Sequence, residues 1–114
     1  MAHKLIASDR VEGTAVCRPG GEKVGVIQRL MIDKLSGRVA FAILTSGGFL
    51  RFGEKHCPVP WAALRYNVLR EAYEVDITNE QLSNAPFYVD DQEFDWGDRS
   101  REVHKVYRTC HYWE

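Results

Sequence analysis

Short apolar runs separated by turn-forming residues occupy the first three quarters of the chain. The runs are rich in β-branched residues, and glycine, proline and serine lie between them, as in short strands joined by tight turns. This pattern predicts strands at residues 5–7, 14–17, 23–33, 39–45, 55–59, 65–69 and 72–76. Only single helical turns fit residues 60–64 and 78–82, so a mostly β fold is expected.

Glycine positions and apolar faces refine this prediction. Gly37 lies between the apolar runs of residues 23–33 and 39–45, as a short hairpin loop with a left-handed residue requires. Gly25 lies inside the first of these runs, which predicts a β-bulge or a sharp coil of the strand rather than a flat strand. Residues 39–45 carry apolar side chains on both faces, so this strand is expected to be central or covered on both sides.

A small closed or nearly closed β-barrel of about six strands fits the pattern, because closure removes exposed sheet edges that favour aggregation. The barrel is expected to span residues 1–86. Residues 87–114 differ, since acidic residues are followed there by basic and aromatic ones, and we interpret them as a C-terminal arm. At 114 residues the chain fits a single domain with this arm attached.

The arm contains one helical pattern. Its apolar residues at the spacing i, i+3, i+4, i+7 are Val103, Val106, Tyr107 and Cys110. This spacing predicts an amphipathic helix from Ser100, a suitable N-cap, to about Cys110. Disordered tails are poor in aromatic residues, whereas this arm is rich in them. We therefore expect the arm to pack on its own barrel or on a second copy of the chain.

Several short motifs together resemble the PRC-barrel family, which was defined on the cytoplasmic domain of the photosynthetic reaction-centre H subunit and a domain of a ribosome-maturation factor. The motifs are Ile32-Asp33, Ser36-Gly37-Arg38-Val39, Gly47-Gly48-Phe49-Leu50, Gly53-Glu54-Lys55, Val59-Pro60-Trp61 and Leu64. They cover residues 5 to about 86. Arg51 stands where stand-alone members carry a glycine, so the loop around it is expected to differ in shape. The resemblance implies a β-barrel that serves as an assembly or interaction module, and it implies no catalytic site.

The sequence contains no motif typical of a phosphate-binding loop, a zinc site or a catalytic nucleophile–base pair. The glycine-rich loop at residues 47–53 lacks the Gly-Lys-Ser/Thr ending of a phosphate-binding loop. The three cysteines lack the paired short spacing of zinc sites. His56 and Cys57 are adjacent on a predicted strand, so their side chains point to opposite faces and do not form a nucleophile–base pair. The sequence therefore predicts a non-enzymatic protein with no cofactor and no metal.

Net charge and targeting signals bear on the binding partners and the location expected for the protein. The formal net charge of -1 lacks the basic excess of a dedicated DNA-binding protein. The sequence shows no secretory signal and no apolar run long enough to be a transmembrane segment. Because the cysteines fit free thiols, a cytoplasmic location is expected.

Large apolar and aromatic side chains of the glycine-rich loop and the arm, with one arginine, are the candidate contact residues. They are Phe49, Leu50, Arg51, Phe52, Trp96, Tyr107, Tyr112 and Trp113. Tyrosine, tryptophan and arginine are enriched among the residues that anchor protein interfaces. We therefore expect a homodimer and a further protein partner that the sequence does not identify.

Two alternatives stay open. An RNA- or ribosome-associated module, by analogy with the maturation factor, would require the basic residues to lie on one face of the protein. These residues are Arg18, Lys23, Arg29, Arg51, Arg99, Arg101, Lys105 and Arg108. A small ligand carrier or enzyme would use the barrel interior, and it would require a cavity lined with polar groups there.

Overall fold

The computed structural model describes residues 5–45, 56–78, 80–81, 85–88 and 96–107. The strands are β1 (Ala15–Cys17), β2 (Lys23–Ile32), β3 (Val39–Thr45), β4 (His56–Pro60), β5 (Leu64–Asn67) and β6 (Ala72–Val75). The helices with bounds in the described residues are α1 (Ser8–Val11), a 3-10 turn (Trp61–Ala63) and α2 (Trp96–Tyr107). The strands form one mixed sheet in the order β4-β3-β2-β1-β6-β5, curved into a half-barrel.

Strand pairing follows the predicted mostly β fold, which is confirmed. Neighbouring strands pair antiparallel except β1 and β6, which pair in parallel. Among the described residues, β4 and β5 are the two edge strands and do not pair with each other. The bulge predicted at Gly25 is also confirmed. The pairing passes from Val16 with Gly25 to Cys17 with Lys23, so Val24 has no residue opposite.

The turn between β2 and β3 forms as the glycine pattern predicts. The N–H of Gly37 donates to the carbonyl oxygen of Asp33 at 2.8 Å, and Gly37 has a φ of 78°, a conformation that favours glycine. The N–H of Ser36 donates to the Asp33 carboxylate at 2.8 Å. Hydrogen bonds from the side chain and then the backbone of Ser36 lower the pKa of Asp33. Local hydrogen bonds therefore fix the hairpin that aligns β2 with β3.

One side of the sheet is covered by a contiguous apolar cluster, which we call the main cluster. Its buried residues are Val11, Val16, Ile27, Ala42, Leu44, Val59, Tyr73, Val75 and Ile77. A second, smaller cluster joins Ala40 and Phe41 of β3 to Val103 of α2. Since β3 contributes to both clusters, the prediction of a strand covered on both sides is confirmed.

The strand predicted at residues 5–7 is wrong. Leu5 and Ile6 are 82% and 52% exposed and belong to no strand, and α1 follows from Ser8. Val11, at the end of this helix, is 3% exposed and enters the main cluster instead. Three consecutive apolar residues are too few to predict a strand reliably. In this structure α1 places Val11 in the core instead.

Side-chain hydrogen bonds define the start of the helical turn at Thr78 and the end of β5 at Asn67. The hydroxyl of Thr78 accepts from the N–H of Gln81 at 3.1 Å, and the Gln81 side-chain oxygen accepts from the N–H of Thr78 at 2.9 Å. This reciprocal pair confirms the predicted capping box. β5 ends at Asn67, before the predicted end at residue 69. The reason is that the Asn67 side-chain oxygen accepts from the N–H groups of Leu69 and Arg70 and begins the turn there.

The helix predicted in the arm is present as α2. It begins at Trp96 rather than at Ser100, which extends its apolar face towards the N-terminus. Val103 is fully buried, as the predicted face requires. The side chain of Val106 and all of Cys110 lie outside the described residues. Among the described residues, no helix has the length and apolar character needed to cross a membrane.

Candidate interaction surface

The arm helix α2 covers the side of β3 that faces away from the main cluster. Phe41 lies between two rings of the helix, with its centroid 5.1 Å from that of Trp96 and 5.2 Å from that of His104. Val103 is fully buried beside Ala40 and Phe41. Burial of one such side chain contributes roughly 1.5–3 kcal/mol. The arm therefore packs on the barrel of its own chain.

A second contact joins the arm to the edge strand β4. His56 and Tyr88 exchange two backbone hydrogen bonds, with N···O distances of 2.8 and 3.0 Å. Their rings stack with centroids 5.0 Å apart. Tyr88 therefore covers the beginning of the β4 edge. The division into a barrel and an arm at residue 86 stays a prediction.

Proline closes the rest of the β4 edge. The N–H of His56 points away from β3, towards Tyr88. Because the backbone groups of successive residues in a strand point to alternate sides, residues 58 and 60 point the same way as His56. Both are proline, which has no N–H to donate. An additional strand would find no backbone donor at Pro58 or Pro60, and edge prolines are a recognised protection against sheet extension.

The opposite edge strand is β5, which has an open side as far as the structure describes the chain. Among the described residues none pairs with its free side, and no residue of β5 is proline. Tyr66 is 47% exposed, and its ring centroid lies 5.0 Å from that of Tyr73 in β6. In the turn that follows, Val68 and Leu69 are 75% and 96% exposed. We call Tyr66, Val68 and Leu69 the β5 surface, a group of exposed apolar residues on and directly after the strand whose second side pairs with no described residue.

The turn that carries the β5 surface is held by Asn67. Its side-chain nitrogen donates to the Glu74 carboxylate at 2.8 Å. Its side-chain oxygen accepts from the N–H groups of Leu69 and Arg70 at 2.9 and 3.1 Å. Glu71 completes the turn with a φ of 51°, a left-handed conformation that is uncommon outside glycine. These constraints fix the backbone that presents the exposed side chains.

A second pair of exposed apolar residues lies near the turn between β2 and β3. Ile32 and Leu35 are 54% and 93% exposed. The pairing of β2 with β1 ends at Val26, so among the described residues the last part of β2 before this turn pairs with β3 alone. Leu35 is thus nearly as exposed as Leu69, and it lies in a different turn of the sheet.

A cleft of about 480 Å³ lies between β5, β6 and the end of α2. Its walls are formed by Pro19, Ala62, Ala63, Arg65, Glu74, Asp76 and Tyr107. Since Tyr73 and Val75 belong to the main cluster, Glu74 between them faces the other way, and the cleft is outside the barrel.

The Tyr107 hydroxyl is buried without a hydrogen-bond partner among the described residues, and burial raises the pKa of Tyr107. In the described part of the chain, no three His, Cys, Asp or Glu side chains are placed to hold a metal ion.

Two of the contact residues predicted from the sequence are described. Trp96 packs on Phe41, and Tyr107 packs beside the main cluster, so both contact their own chain. Six others lie outside the described residues, namely Phe49, Leu50, Arg51, Phe52, Tyr112 and Trp113. Contact of these residues with another molecule stays a prediction. The sequence reasoning missed the β5 surface, since it placed Val68 and Leu69 within the strand predicted at residues 65–69.

The basic residues considered for RNA binding are partly described. Arg18 is engaged within the chain, since its Nη1 lies 2.9 Å from the Glu22 carboxylate and its Nε donates to the carbonyl oxygen of Ile77 at 2.9 Å. Lys23, Arg29, Arg101 and Lys105 are exposed. Arg51, Arg108 and the side chain of Arg99 lie outside the described part. RNA binding stays a prediction.

Comparison with known proteins adds one finding. The sequence model of a protein family described as PRC-barrel domain matches residues 3–82. The match spans all six strands and ends before α2 begins. No curated protein matches the chain.

Proposed function

The chain belongs to the PRC-barrel family, and on that premise we propose that it is a non-catalytic module that associates with protein chains through the β5 surface. The family suggests a general interaction or assembly role. The observation that carries the proposal is the exposure of Tyr66, Val68 and Leu69 beside the open edge of β5.

The energetics favour a contact at this surface. Leu69 is 96% exposed and Val68 is 75% exposed, and burial of each such side chain contributes roughly 1.5–3 kcal/mol. Asn67 holds the turn through its hydrogen bonds. The backbone is therefore already ordered, and little conformational entropy is lost when a partner binds. Apolar side chains that are grouped on a surface, rather than scattered, are typical of interaction sites.

The arm has a supporting role in this proposal. Trp96 and Val103 anchor α2 on β3, and Tyr88 covers part of the β4 edge. Among the described residues, these contacts leave the β5 edge available to a partner. Contacts through the loop residues Phe49 to Phe52 and through Tyr112 and Trp113 would extend the same association.

Site-specific photo-crosslinking in the native host tests the proposal. A photoreactive phenylalanine analogue replaces Leu69 in one protein and Leu35 in the matched control, because both side chains are more than nine-tenths exposed. We expect a discrete protein adduct from position 69 and none from position 35. Absence of a protein adduct at position 69, or equal adducts at both positions, would contradict the proposal.

A further inference from the structure

We propose that the cleft between β5, β6 and the end of α2 binds a short zwitterionic peptide, with the peptide carboxylate on Arg65 and its ammonium group on Asp76. The cleft has a volume of about 480 Å³, which lies within the range of roughly 300–1,000 Å³ that is usual for small-molecule sites. None of Tyr66, Val68 and Leu69 lines the cleft, so this inference goes beyond the proposed function and does not depend on it.

Strand pairing places the charged side chains of the cleft on one face of the β5–β6 hairpin. Arg65 is directly opposite Glu74, so their side chains lie on the same face. This face is turned away from the main cluster, to which the neighbouring residues Tyr73 and Val75 belong. Asp76 directly follows β6 and lines the same cleft. The cleft therefore carries one cation and two carboxylates.

The two carboxylates differ in their contacts within the described part of the chain. Glu74 accepts a hydrogen bond from the side-chain nitrogen of Asn67 at 2.8 Å, and Nε of Arg70 lies 3.7 Å from its carboxylate. The side chains of Arg65 and Asp76 are exposed and form no ion pair or hydrogen bond with any described residue. One cation and one anion of the cleft are therefore available to a ligand.

Charge and spacing indicate the class of ligand. A guanidinium group binds a carboxylate through two parallel hydrogen bonds, and a carboxylate accepts hydrogen bonds from an ammonium group. Because Arg65 is opposite Glu74, Asp76 is displaced from Arg65 by two residues along the strand direction, or about 7 Å. The two ends of an extended dipeptide are a similar distance apart, at roughly 3.3–3.6 Å per residue. A single amino acid carries both charges on one carbon atom and fits this spacing less well.

The remaining walls of the cleft suit a ligand with small side chains. Pro19, Ala62 and Ala63 line it without adding further charge, and Tyr107 lines it at the end of α2. Ion pairs between exposed groups are individually weak. We therefore expect a dissociation constant in the millimolar range, with each ion pair contributing a factor of about three to five.

An NMR titration of the ¹⁵N-labelled full chain with alanyl-alanine tests the site. We expect saturable shifts of amide resonances at Ala63, Arg65 and Asp76, and none at Leu35 in the β2–β3 turn. N-acetyl-alanyl-alanine lacks the ammonium group and alanyl-alanine amide lacks the carboxylate. Each should bind about threefold to fivefold more weakly than alanyl-alanine. Free alanine should also bind more weakly than the dipeptide.

Two variants assign the ends of the ligand. Asp76→Asn should weaken the binding of alanyl-alanine by about threefold to fivefold and leave the binding of the acetylated dipeptide unchanged. Arg65→Gln should weaken the binding of alanyl-alanine equally and leave that of the dipeptide amide unchanged. Asp9→Asn, at an exposed carboxylate of α1 that does not line the cleft, is the matched control and should change none of these values. The spectrum of each variant also shows whether the chain is folded.

Four results would overturn the inference. They are the absence of saturable shifts at the cleft, equal binding of alanyl-alanine and its acetylated form, equal effects of Asp76→Asn and Asp9→Asn, and tighter binding of free alanine than of the dipeptide. None of these results bears on the crosslink expected at position 69, so the proposed function is tested separately.

Discussion

Replacement of Val103 by alanine tests whether the arm is docked on β3 as described. Val103 is fully buried against Ala40 and Phe41. The change removes two buried carbon groups, worth about 1.6 kcal/mol at roughly 0.8 kcal/mol each. A cavity term adds to this, because the surrounding side chains relax only partly. We expect Val103→Ala to lower the free energy of unfolding by about 1.5–3 kcal/mol.

Urea unfolding followed by tryptophan fluorescence measures this difference. Lys105→Ala on the exposed face of the same helix is the control, and it should change the free energy of unfolding by less than about 0.5 kcal/mol. Amide hydrogen exchange should accelerate in α2 more than in β2, because a helix of 12 residues is marginal without packing. Unchanged stability and unchanged exchange in Val103→Ala would refute the docking of the arm on this face.

Three further predictions concern turns. Gly37→Ala should lower the free energy of unfolding, measured by chemical denaturation, by about 1 kcal/mol. The cause is the φ of 78°, which disfavours a residue with a Cβ atom, since the added methyl group itself meets no atom within 4 Å. Asn67→Ala should lower the free energy of unfolding in urea by about 1–2 kcal/mol and speed hydrogen exchange at the N–H groups of Leu69 and Arg70, because these groups and the Glu74 carboxylate lose their partner. The pKa of Asp33 is lowered in the folded state, so its contribution to stability is present above the ordinary carboxyl pKa and is lost as pH falls through the lowered value. Asp33→Asn should therefore destabilise the protein at neutral pH but not in strong acid, and equal effects in urea unfolding at both pH values would contradict this.

Local sequence signals were sufficient to predict turns and caps that are fixed by hydrogen bonds between residues close in the sequence. Gly37 at the β2–β3 turn and the pair Thr78 and Gln81 are such cases, since each is satisfied by bonds within a few residues. The apolar faces of β3 also predicted its coverage on both sides. The two turns depend on backbone and neighbouring side chains alone, and the coverage of β3 could be inferred because both of its faces are apolar in the sequence.

Features that depend on distant contacts were harder to infer. Leu5 and Ile6 look like a strand, but Val11 occupies the core position because α1 brings it there. The sequence left open whether the arm packs on its own barrel, since an apolar helix face fits a second copy equally well. The β5 surface was missed because Val68 and Leu69 fit the strand predicted at residues 65–69, whereas the Asn67 side chain begins the turn before them.

The account divides the sheet into a closed edge at β4 and an open edge at β5. Amide hydrogen exchange of the full chain compares the two edges in one measurement. The account predicts slow exchange at His56, whose N–H donates to Tyr88, and faster exchange at those N–H groups of β5 that face away from β6. Equal exchange at His56 and at those β5 groups would contradict it.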